Sequence, residues 1–139
     1  MAIYTLDIEA DYDFELIGLS SHENDYRLAW SLNRSMNWKL IRHEDVLSGN
    51  KKVETWHAQF RYVNTSDHSV ITLIDNKTAD GLFIQELAQL DYIIKIENAR
   101  EDFDDSFYRK LRKTPFVVTA YPLEVAKLKS KRNLLFENR

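Results

Sequence analysis

The sequence predicts an α+β fold: a mainly antiparallel sheet of about six strands, helices packed on one face, and a C-terminal β-α-β unit. Three observations carry this. Most of the chain alternates apolar and polar residues with a period of two, as half-buried strands do. Two separate segments, 22–36 and 103–111, place apolar residues at helical spacing instead. The second of these lies between two apolar runs, the order strand, helix, strand of a crossover. With 139 residues, 44% of them hydrophobic, and no repeat or Pro/Gly-rich linker, a single domain spanning 1–139 is expected.

Residues 4–9 alternate, with Leu6 and Ile8 on one side and Thr5, Asp7 and Glu9 on the other, predicting a short strand. Asp11 or Asp13 then caps an expected short helix reaching Leu19, with Phe14, Leu16 and Ile17 on its apolar side. A longer helix is expected over 22–36. Ser20 and Glu23 have capping-box spacing, and Leu28, Ala29, Leu32 and Met36 form its buried face beside a Tyr26 and Trp30 stripe.

From Trp38 the period falls to two, with Trp38, Leu40 and Arg42 on one side of a strand ending near Gly49. Residues 53–63 make the clearest strand: Trp56, Ala58, Phe60 and Tyr62 form its expected core face, and Thr55, His57, Gln59 and Arg61 its polar face. A turn at 64–67 leads into a returning strand over 69–74. After a second turn at 75–77, Leu82, Phe83 and Ile84 make another short strand.

In the final unit, Leu90, Tyr92, Ile94 and Ile96 are expected to be buried, with Asp91, Ile93, Lys95 and Glu97 on a wet side. The helix after it has acids at its start (Glu101, Asp102, Asp104, Asp105) and bases at its end (Lys110, Arg112, Lys113), as its dipole favours. Thr114 and Pro115 stop it, since the residue before proline is pushed out of the helical region. A strand over 116–121 follows, expected to run parallel to the one before the helix.

Composition narrows function by exclusion. A net charge of −3 leaves no general basic excess for phosphates, so nucleic-acid binding is not expected. Without cysteine there is no disulfide, thiolate metal site or Cys nucleophile. His22, His43, His57 and His68 show no metal-ligand spacing, so no metal is expected. Asp7, Glu9, Asp11 and Asp13 lack the glycine turn and distal glutamate of a calcium loop. Three isolated glycines give no phosphate loop and no nucleophile elbow, and neither cofactor nor catalysis is expected. No apolar run reaches the ~18 residues of a membrane helix, and the N-terminal stretch lacks the basic-then-apolar pattern of a signal peptide. A cytoplasmic protein without membrane association is the expectation. The basic run at 127–132 reads as a solvated face, and Leu134, Leu135 and Phe136 either dock on the chain's own sheet, the favoured reading, or present a hydrophobic hook to a partner.

The stretch IQELAQLDY, residues 84–92, resembles the signature of the IPExxxVDY family, short bacterial proteins without an assigned activity. Tyr4 to Asp7, Asp11 to Phe14, Asp25 to Leu28, Thr119 to Tyr121 and Asn133 to Phe136 are similar to that family as well. Gln85 stands where the family has proline, and Leu90 where it has valine. The resemblance implies that the Gln85 amide is no required ladder donor, and it brings no catalytic residues.

Ile84, Gln85, Glu86 and Asp91, at the bend between two apolar runs, form the candidate binding segment, joined by the outward-facing His57 and Arg61 of the preceding hairpin. The expected function is a small non-enzymatic interaction module that binds a protein partner, a homodimer being one form of such contact. The alternative is a small-ligand-binding regulatory domain built on a ferredoxin-like β-α-β unit, with its ligand at a dimer interface.

Overall fold

The computed structural model describes residues 14–48, 54–79, 81–99, 103–128 and Leu134. In chain order these form β1 (Phe14–Ser20), α1 (Asp25–Met36), β2 (Ile41–Leu47), β3 (Trp56–Val63), β4 (Val70–Asp75), β5 (Lys77–Thr78), β6 (Gly81–Leu82), β7 (Tyr92–Glu97), α2 (Asp105–Arg112) and β8 (Thr119–Leu123). Short 3-10 turns cover Gln85–Leu87 and Val125–Lys127. Six strands form one sheet in the order β2-β3-β4-β7-β1-β8, every neighbouring pair antiparallel, while β5 and β6 make a separate two-stranded ribbon.

The α+β class and the mainly antiparallel six-stranded sheet are as the sequence predicts. Because β1 is antiparallel to both β7 and β8, those two run parallel with β1 between them. The C-terminal β-α-β unit is therefore split: α2 links two parallel strands that are not neighbours. The strand expected at 4–9 lies outside the described residues.

Residues 14–19 are not helical. They belong to β1, a central strand whose Ile17 and Leu19 face one side and Leu16 the other, all fully buried. A strand buried on both faces is a continuous apolar run, which periodicity cannot tell from a buried helix turn.

Each α-helix is capped by one side chain. Asn24 Oδ1 accepts from the Arg27 amide at 3.0 Å, and Asp104 Oδ1 from the Phe107 amide at 3.1 Å. The capping role thus falls to Asn24 rather than Ser20, and α1 begins at Asp25.

Both sheet faces are covered. α1 and α2 pack Leu28, Leu32 and Leu111 onto Ile17, Leu73 and Ile94. On the other face, Phe83, Ile84, Leu87 and Leu90 pack with Leu128 and Leu134 against Leu16, Ile74 and Ile93. The expected wet side of β7 is therefore buried, with Ile93 at 0% and Lys95 at 3% exposure. Gly18 marks how closely that second layer sits: a Cβ there would come within 2.4 Å of Leu90 Cδ1. Leu134 docks on its own domain, its carbonyl accepting from Lys95 Nζ at 2.5 Å; Leu135 and Phe136 lie outside the described residues.

Candidate functional site

The sequence-derived candidates divide between surface and interior. Gln85 and Glu86 sit exposed on the 3-10 turn, whereas Ile84, one residue earlier, is fully buried. Asn76, at 0% exposure, fixes this segment. Its Oδ1 accepts from the Ile84 amide at 2.8 Å, and its Nδ2 donates to the Leu87 and Leu90 carbonyls at 2.8 and 2.9 Å. Its backbone donates to the Asp91 carbonyl and accepts from the Phe83 amide. Asp91 serves as a clamp: Oδ2 accepts from the Ser21 amide at 2.9 Å, Oδ1 lies 3.5 Å from Lys77 Nζ, and its amide donates to the Leu19 carbonyl. The backbone groups that a bend would leave unpaired are thus satisfied by one buried Asn and one half-buried Asp.

His57 does not face solvent as the alternation predicts, and Arg61 is half-buried. Over the first half of β3 the polar side is the inner one: Thr55, His57 and Gln59 are buried, while Trp56 is 56% exposed opposite the exposed Leu47. The cover that α1 gives β3 ends near Phe60, where Tyr26 meets the ring edge-on at 5.2 Å. His57 Nδ1 lies 2.8 Å from the Asp75 carbonyl, which can only accept, so Nδ1 carries the proton. Nε2 then accepts from Thr55 Oγ1 at 2.6 Å, and Thr55 Oγ1 in turn accepts from Ser48 Oγ at 2.8 Å. This hydroxyl–hydroxyl–imidazole chain is sealed: His57 has no exposed surface for a substrate. Beyond it, Gln59 Oε1, Arg61 Nε and Thr72 Oγ1 are enclosed without hydrogen-bond partners among the described residues. Burial lowers the Lys95 pKa, although Glu97 lies 3.4 Å from its ammonium and opposes the shift.

One feature that the sequence did not flag lies on the helix side. The turn after α2 is closed by the Val117 amide donating to the Thr114 carbonyl at 3.1 Å. Pro115 occupies its second position, and Phe116, at the third, has a φ of +78°. That is the geometry of a type II turn, in which the third position favours glycine or asparagine. α1 holds the turn in place: Ser31 Oγ donates to the Pro115 carbonyl at 2.8 Å, and Thr114 Oγ1 donates to Ser35 Oγ at 2.7 Å. The Phe116 ring is 36% exposed under the Arg27 guanidinium, 5.2 Å from its centroid. Trp30, 57% exposed, carries Arg34 at 4.9 Å in the same manner. A hollow of about 470 Å³ lies between Trp30, Arg34 and Pro115, and another of about 260 Å³ between His22, Phe116 and Val118. No signal in the sequence pointed here, because Thr-Pro-Phe-Val specifies a turn without specifying its type.

Among the described residues no cluster of three or more His, Asp or Glu is arranged to hold a metal ion, and no helix is long and apolar enough to cross a membrane. Fold and surface thus define a split β-α-β domain of the α+β class with an exposed aromatic–arginine ridge. No protein-family model matches the chain, and no curated protein matches it.

Proposed function

We propose that the chain is a non-enzymatic interaction module that docks a protein partner on the ridge of Trp30, Phe116 and Val118. The observation that carries this reading is the Phe116 turn. Its backbone is held where a bulky residue costs on the order of 1 kcal/mol or more, yet the ring stays 36% exposed and recovers little burial within the domain. A partner covering the ring would supply that burial, and the hollows on either side of the turn would receive neighbouring apolar side chains. Arg27 and Arg34, stacked on the two rings, select a segment with apolar anchors and flanking acids. A cytoplasmic site of action and membership of the IPExxxVDY family belong to the same proposal.

The test compares three variants with the parent chain. Phe116→Gly relieves the left-handed strain, so its stability to chemical denaturation should match or exceed the parent's by about 0.5–1 kcal/mol. A partner captured from a lysate of the source organism and identified by mass spectrometry should be lost with Phe116→Gly and with Trp30→Ala. It should be kept by Glu86→Ala, which alters the candidate turn on the opposite face of the sheet. A partner that survives both ridge variants, or disappears only with Glu86→Ala, overturns the reading.

A further inference from the structure

The two arginines of the ridge are not equivalent, and the difference gives a docked segment a direction. Arg27 is already paired: its Nε lies 3.8 Å from Glu23 Oε2 while its guanidinium stacks over Phe116. Glu23 is itself held in place, its amide donating to Ser21 Oγ at 3.1 Å and its carbonyl accepting from the Tyr92 hydroxyl. With His22, Phe116 and Val118 it lines the smaller hollow of about 260 Å³. This end of the ridge thus carries a carboxylate of its own beside two exposed apolar side chains.

Arg34, at the other end, has no such partner. Its guanidinium stacks on Trp30 at 4.9 Å and makes neither a hydrogen bond nor an ion pair with the described residues. Its five N–H donors are left to bind something else. The larger hollow, of about 470 Å³, is lined by Trp30, Ser31, Arg34, Ser35 and Pro115. The stretches that carry these residues, 29–36 and 113–117, are described throughout and contain no Asp or Glu. Ser31 Oγ is committed to the Pro115 carbonyl, which leaves the guanidinium as the charged donor at this hollow.

A guanidinium resting on an aromatic face presents its fork of donors in a set plane, which suits the two oxygens of a carboxylate. An acid at the Arg27 end gains less, because Glu23 already occupies that guanidinium and repels a second carboxylate. We propose that a segment docked on the ridge lies with a carboxylate against Arg34, beside Trp30, and with its apolar residues over Phe116 and Val118. This polarity rests on the ridge being the docking surface, and it makes Arg34 the residue that reads the acid.

Two blocked tripeptides titrated into the full chain at low salt test this, acetyl-Leu-Leu-Glu-amide and its glutamine counterpart. Binding is followed by NMR through the indole N–H of Trp30 and the amides of Phe116 and Val118. Both peptides should shift these signals, the glutamate peptide binding about two- to fivefold more tightly. That preference should vanish in Arg34→Gln and persist in Arg27→Gln, whatever the second variant does to overall affinity. Both side chains are exposed, so both variants should fold. Equal binding of the two peptides to the parent, a preference that survives Arg34→Gln, or one lost with Arg27→Gln would overturn the polarity and leave the ridge a docking surface. Peptides that shift no ridge signal would remove the docking surface itself, and the polarity with it.

Discussion

Asp75 ends β4 opposite Tyr92 and lies against Asp25 in the first turn of α1. Burial is the main reason its carboxyl is pushed up to about 8, and a hydrogen bond with Asp25 and that residue's charge add to it. An acid whose folded pKa exceeds its unfolded value, ~3.9 for Asp, keeps its proton in the folded chain while the unfolded chain releases it. Its contribution to stability is complete below about pH 4 and is lost as pH rises through about 8. Asn keeps a donor at this position and cannot ionise. The melting temperature of Asp75→Asn should therefore gain on the parent's as pH is raised between those limits, measured by thermal unfolding in buffers of constant ionic strength. A constant gap across that range would show that Asp75 is ionised throughout.

At the scale of elements, the segment between β6 and β7 shows how little regular structure is needed to cover a sheet face. Ile84, Leu87 and Leu90 are fixed there because Asn76 satisfies the amide and two carbonyls around them. Deleting that side chain strands three buried backbone groups, each costing about 1–3 kcal/mol if left unsatisfied. Asn76→Ala should lose about 3 kcal/mol or more in urea unfolding, whereas Gln85→Ala, on the exposed turn next to it, should stay within about 0.5 kcal/mol. A near-neutral Asn76→Ala would mean that water replaces its bonds. From the sequence, residues 75–77 read as an ordinary turn. Asn at a turn is common, and only the returning chain reveals what its amide holds.

For the molecule as a whole, a sheet with two covered faces decides which aromatics matter. Tyr92 is 6% exposed, and its hydroxyl donates to the Glu23 carbonyl at 2.6 Å, joining β7 to the approach of α1. Trp56 shares its face with Phe60 and Tyr62 but lies past the end of the helical layer. Tyr92→Ala should cost about 3–5 kcal/mol. Trp56→Ala should change stability by about 0.5 kcal/mol or less. Equal losses in the two variants, measured by chemical denaturation, would place a further layer over Trp56. The two edges of the sheet differ as well: β2 carries a bulge between His43 and Val46, and β8 carries Pro122, both devices that discourage pairing with another chain.

By itself the sequence determined the α+β class, the hairpin of β3 and β4, the amphipathic faces of α1 and α2, and the stop at Pro115. Each of these rests on local periodicity or on a backbone restriction that acts within a few residues. Tertiary structure decided the rest. β1 became a strand because it lies between two others with both faces buried, a pattern that local alternation does not carry. His57 turned inward because the far face of the sheet is covered by a segment some 25 to 30 residues later in the chain, so polar alternation on β3 marks a hydrogen-bonded interior rather than a wet surface. Of the candidate binding residues, Gln85 and Glu86 reached the surface, while Ile84 and His57 were drawn into the interior. The Phe116 ridge joins α1 to the turn after α2, and neither stretch of chain alone holds enough of it to announce it.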